Sequence, residues 1–143
     1  MIKTPPRLLL MFLLLTMPAL GLAGDKFAIA ADGDQASAEI AKLAGIAPFF
    51  HIYDGEGQLL EVLPNPHLDM EYGIGPACAA TLADMGVGVL VARKVPGPKM
   101  EDVLNERGVR IVRRIGTVKD ISIKGELDTA RIEIPVLIEI EPD

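Results

Sequence analysis

Hydrophobic and polar positions change their period several times along this chain, and each change marks an element. Lys26 to Ala31, KFAIAA, is a short apolar run that ends on Asp32, Gly33 and Asp34, as a strand entering a loop does. Ser37 to Leu43 carries the spacing of a short helix. Phe49 to Tyr53 reads as a second strand, Asp54 to Gly57 as a hairpin turn, and Gln58 to Leu63 as a third strand returning antiparallel. Pro64, Asn65 and Pro66 break the sheet, and a loop runs from His67 to Gly75.

Pro76 at a first helical position and Gly86 past the end predict a helix over Pro76 to Met85, with Cys78, Leu82 and Met85 as its inward stripe. Its Ala77, Ala79, Ala80 and Ala83 leave room for close approach to a sheet. Val87 to Ala92, VGVLVA, is continuously apolar, as parallel strands buried on both faces are. Pro98 and Gly108 bracket a second helix, with Glu101 and Asp102 in its first turn and Arg107 in its last, and Val109 to Ile115 reads as the next strand. Strands alternating with helices predict a three-layer α/β domain with a mixed sheet.

Both ends depart from this rhythm. At the carboxyl end, Ile132, Ile134, Val136, Ile138 and Ile140 alternate with Glu133, Pro135, Leu137, Glu139 and Glu141, which predicts an extra edge strand, because Pro135 cannot donate to a ladder. An apolar edge needs cover, from its own domain, a second copy, or a partner such as a periplasmic redox protein. At the amino end, Lys3 and Arg7 precede an apolar run that ends at Gly21, Leu22 and Ala23, the pattern of a secretory signal peptide cut after Ala23 or Gly24. The run falls short of the roughly 20 apolar residues that a spanning helix needs, so no membrane span is expected after cleavage. Without a Cys near the cut, an acylated amino terminus is excluded, and a periplasmic or secreted product is expected. The organisation is therefore a signal peptide over 1–23, an α/β domain over 24–129 and a β extension over 130–143.

Charge narrows the function classes. The formal net charge is -6 with 4% aromatic residues, which disfavours sequence-independent binding to nucleic acid. One Cys closes no internal disulfide, so stability rests on a packed core. The balance is uneven: from Arg93 to Lys119 eight basic residues stand against three acids, a local patch that attracts a compact anion or is simply a solvated face.

The loop Gly73, Ile74, Gly75 and Pro76 opens onto a helix, so its N–H groups and the helix dipole can face an anion; the other reading is a plain tight turn. Arg93 and Lys94 leave the carboxyl end of a strand expected to be parallel, where open α/β sheets bind ligands, and Lys99 opens the next helix. Cys78 reads as a buried small hydrophobe, with a thiolate ligand as the alternative. His51 and His67 lack zinc spacing, and His67, on a loop, is the better candidate metal ligand. Asp32, Asp34 and Glu39 miss the spacing of a calcium loop, and no nucleophile elbow or catalytic triad signature is present.

In order, KFAIAADGD, GIAPFFHIYD, the hairpin into LPNP, GIGPACAATLADMGVGVLVA, MEDVLNERGVRIV and GTVKD resemble the NifX/NifB-type dinitrogenase iron-molybdenum cofactor biosynthesis family, over about Lys26 to Leu127. Leu43, Ala44, Gly45 and Ile46 stand where that family often has His-Phe-Gly-Arg, and Arg93 to Pro98 replaces its glycine-rich turn. The resemblance implies a ribonuclease H-like α/β fold with a mixed five-stranded sheet. It also implies a non-enzymatic role in binding or carrying an anionic metal-sulfur cluster of the iron-molybdenum type, or an oxyanion. The expected site is Gly73, Ile74, Gly75 and Pro76 as cradle, Arg93, Lys94 and Lys99 as charge, and His67 as a metal ligand. Two other classes stand beside it: a cofactor-free periplasmic interaction module acting through Ile132 to Ile140, with a second copy (a homodimer) or a periplasmic redox protein as its partner, and a nuclease-like hydrolase using Asp32 and Asp34.

Overall fold

The computed structural model describes residues 24–95, 97–121 and 123. Its elements are β1 (Lys26–Ala31), β2 (Phe49–Tyr53), β3 (Leu59–Pro64), α1 (Ile74–Asp84), β4 (Val87–Ala92), α2 (Gly97–Glu106) and β5 (Arg110–Arg113), with single 3-10 turns at Ala44–Ile46 and Val118–Asp120. One five-stranded sheet has the order β3-β2-β1-β4-β5. The β1–β4 and β4–β5 pairs are parallel, and the β1–β2 and β2–β3 pairs antiparallel.

Strand alternation divides the core into two layers. Ala28, Ala30, Phe50, Ile52, Leu90 and Ala92 share one face with Cys78, Ala79 and Leu82 of α1 and Met100 and Leu104 of α2. Phe27, Ile29, Ala31, Val89, Val91 and Val112 share the other with Ile40, Val118 and Ile123. Both helices thus lie on one side, and among the described residues the second side is covered by irregular segments and a 3-10 turn. Every residue of β4 is buried, which explains why its sequence shows no polar alternation.

Close backbone approach fixes two joints. Gly24 runs against the start of β4 so tightly that a Cβ on Gly88 would fall on the Gly24 carbonyl oxygen. At Gly75 a Cβ would lie 3.2 Å from Cβ of Met100, so α1 makes its tight contact with α2.

Several sequence expectations need correction. Ser37 to Leu43 forms no helix: Ile40 bridges Ala31 and Glu39 bridges Thr117, so the segment's backbone groups are spent on neighbours distant in sequence. Helix α1 begins at Ile74, which puts Pro76 third; a proline lacks an N–H that the whole first turn leaves unpaired, so its presence does not fix the first position. Helix α2 begins at Gly97 and ends at Glu106, so Glu101 and Asp102 fall beyond its first turn and Arg107 beyond its end, where its guanidinium pairs with Asp84. The leader over Met1 to Ala23 and the extension over 130–143, with the strand expected at Ile132 to Ile140, lie outside the described residues. Among those residues no helix is long and apolar enough to cross a membrane.

Candidate functional site

Parallel pairing brings the carboxyl ends of β1, β4 and β5 to one end of the sheet, and α2, which follows β4, starts there too. The Gly75–Met100 contact sets the start of α1 beside the start of α2. Register does the rest: Ala92 pairs with Arg113, so the residues leaving β4 and β5 are level. Arg93, Arg113, Arg114 and Ile115 line a hollow of about 270 Å³ at this end.

The three arginines that line this hollow are held by different neighbours. Arg113 Nη2 lies 4.0 Å from Oε1 of Glu101 on α2, the helical side. Arg93 Nη2 lies 3.9 Å from Oε2 of Glu39, on the segment bridged to Thr117. Arg114 anchors through its own backbone N–H to Ala92 O at 3.0 Å and through Nη1 to Arg113 O at 2.7 Å. Both carboxylate pairs sit at the far limit of ion pairing, well beyond ordinary N–H···O distances. The Nε of Arg93 is buried and has no hydrogen-bond partner. A shielded donor without an acceptor costs about 1–3 kcal/mol, which an anion reaching it would offset.

The helix starts contribute differently from what the sequence suggests. Gly73 caps α1 in the left-handed region at φ 75°, which favours glycine, and no side chain caps the helix. Pro76 offers no N–H, and Ala77 N–H is taken by Gly73 O at 3.1 Å, so Ile74 and Gly75 carry the outward donors. Lys94 is exposed and holds its loop by accepting Ala44 N–H at 3.0 Å. Lys99 is exposed in the first turn of α2, where no acid offsets the dipole. Gly73, Ile74, Gly75, Pro76, Lys94 and Lys99 share this end of the fold but do not line the arginine hollow, and of the expected site residues only Arg93 does.

His67 is half-buried, with Nε2 2.7 Å from Oγ1 of Thr81 and its backbone N–H donating to Asn65 Oδ1 at 3.0 Å. Cys78 is buried and donates to Asn65 Oδ1 at 3.2 Å and Gly45 O at 3.4 Å; burial pushes its thiol up, against a smaller opposing effect of Asn65. His51 is buried and ties β2 to Gly33 O through Nε2 at 2.8 Å. Asp32 and Asp34 are exposed. Among the described residues, no group of three His, Cys, Asp or Glu is placed to hold a metal ion.

Arg113, Arg114 and Glu101 are not among the site residues expected from sequence, and Glu39 enters there only with Asp32 and Asp34, in a calcium loop whose spacing fails. The signal for the two arginines was the basic run VRIVRRI, and the parallel register of β5 on β4 supplies the missing alignment.

Comparison with known proteins adds to this geometry. The family model for dinitrogenase iron-molybdenum cofactor matches residues 25–124. The apo form of the orange protein from Desulfovibrio gigas is similar at 25% identity and a TM-score of 0.65, over 74% of this chain and 89% of that one. A NifB-like protein from Thermotoga is similar at 29% identity and a TM-score of 0.59, over 75% of this chain and 90% of that one. No curated protein sequence matches the chain.

Proposed function

The chain belongs to the dinitrogenase iron-molybdenum cofactor family, and from that premise we propose that it is a non-enzymatic carrier of an anionic metal-sulfur cluster or a related oxyanion. The observation that carries this reading is the hollow lined by Arg93, Arg113 and Arg114, with a buried Arg93 Nε that lacks an acceptor. Three arginines lining a concavity suit a compact multivalent anion held by charge and hydrogen bonds, since a guanidinium presents planar N–H donors. The helix starts at Ile74 and Gly75, with Lys94 and Lys99, lie at the same end and add positive potential to its approach. His67 has its Nε2 engaged with Thr81, so as a ligand it would act through Nδ1.

The orange protein's description as an apo form supports a cargo-binding reading, because it implies that protein has a loaded state. The strand order β3-β2-β1-β4-β5 with β2 antiparallel supports a ribonuclease H-like assignment. The leader pattern over Met1 to Ala23 supports delivery to the periplasm, and the amino-terminal residue of protein recovered there, Gly24 or Asp25, tests it.

The decisive experiment measures binding of tetrathiomolybdate and molybdate by absorption and metal analysis, in the wild type and in Arg93→Ala. Binding by the wild type and loss of about tenfold or more in the variant supports the assignment, since a lost charge-assisted hydrogen bond is worth about 1.5–3 kcal/mol. Equal binding by both forms, or none by the wild type, overturns it.

A further inference from the structure

We infer that Glu39 is a resident competitor for the arginine hollow: a carboxylate of the chain itself that opposes the incoming anion at Arg93 and so sets how fast cargo leaves. The inference rests on the reading of the hollow as an anion site and assigns that site its release element. Arg93 and Glu39 face each other at 3.9 Å, with side chains 34% and 67% exposed. That distance is too long for a hydrogen bond, so the guanidinium keeps its N–H groups for other acceptors while feeling the carboxylate's charge. A pair this exposed contributes about 0–1 kcal/mol, so displacing it costs little.

The fold keeps the competitor near its target. Glu39 is anchored by its backbone: its carbonyl accepts Asp32 N–H at 2.9 Å, and its neighbours Ala38 and Ile40 exchange bonds with Val118 N–H and Gly116 O, each at 2.9 Å. Its backbone therefore stays put while its exposed side chain remains free to turn toward water. Opposite, Glu101 stands 4.0 Å from Arg113 in the same relation. A cargo anion enters between two carboxylates that give way without unfolding anything, and when it leaves they return to the guanidinium groups. Retention then depends on ligand charge, because attraction to the arginines and repulsion from Glu39 both scale with it.

Glu39→Gln removes the repulsion and keeps the backbone bridge and the side-chain volume. With molybdate, a dianion, and perrhenate, a monoanion of the same tetrahedral shape, Coulomb repulsion across about 8 Å of water-like dielectric predicts about sixfold tighter binding of molybdate by the variant and about 2.4-fold tighter binding of perrhenate. The gain should reside mainly in a slower off-rate and shrink as salt is raised. Glu39→Asp, which keeps the charge on a shorter arm, should gain less than Glu39→Gln. Equal gains for the two ions, no gain at all, or an equal gain with Glu39→Asp would overturn the role of Glu39 while leaving the anion site standing. Binding of neither ion by wild type or Glu39→Gln removes the site itself, and the competitor with it.

Discussion

The thiol of Cys78 donates to Oδ1 of Asn65 across 3.2 Å, tying α1 to the segment that follows β3. The same oxygen accepts His67 N–H, and the Asn65 amide donates to Ala47 O at 2.9 Å, so one buried side chain holds three parts of the chain. Asn65→Ala would strand these partners, and a loss of about 1–3 kcal/mol is expected in urea denaturation.

Burial that raises the Cys78 thiol also keeps the thiolate scarce. Alkylation by iodoacetamide should be slow in the folded protein, limited by opening, and faster in Asn65→Ala. Rapid labelling of the native wild type would contradict the buried assignment.

Two glycines should differ in tolerance. At Gly88 a Cβ would overlap the Gly24 carbonyl oxygen, whereas at Gly75 it would meet Met100 Cβ at 3.2 Å, a crowding that a shift of a few tenths of an ångström between the two helices relieves. In protein that retains Gly24, Gly88→Ala is therefore expected to cost about 1–3 kcal/mol, and Gly75→Ala clearly less, compared by thermal and denaturant midpoints.

Thr117 caps the last 3-10 turn by donating both its hydroxyl, at 2.6 Å, and its backbone N–H, at 3.2 Å, to Asp120 Oδ2. The hydroxyl and then the amide hold the Asp120 carboxyl below its usual range. A lowered folded-state value means the stabilisation is present above the ordinary carboxylate value, about pH 4, and fades as pH falls through the lowered one. The melting temperature difference between the wild type and Asp120→Asn should thus be full near neutrality and vanish in acid.

Charge alone should not replace Arg93. Arg93→Lys keeps the cation but removes the inner Nε donor, so molybdate affinity should fall about tenfold relative to wild type, and both forms should bind more weakly at high salt.

Much of the fold was legible because its signals are local. The VGVLVA run, set between Gly86 and the basic pair Arg93 and Lys94, gives β4 to the residue, and the turn residues 54–57 place β2. Ser37 to Leu43 was misread because helical spacing there competes with tertiary pairing: Ala41 N–H donates to Ala30 O at 2.8 Å and Ile40 N–H to Gly116 O at 2.9 Å. The site was legible only at Arg93, which directly follows an unmistakable strand. Arg113 and Arg114 lie at and just past the end of β5, and nothing in their own neighbourhood says which residues of β4 stand beside them. Glu39 and Glu101 approach Arg93 and Arg113 from segments far off in sequence, so no spacing rule reaches them.

The sealed Arg93 Nε has an outcome for the protein's lifespan. An anion bound as proposed and reaching that donor would satisfy it, so loaded molecules would open less often. Heat and proteases would remove empty copies first. Survival itself then becomes a record of whether the molecule holds anything.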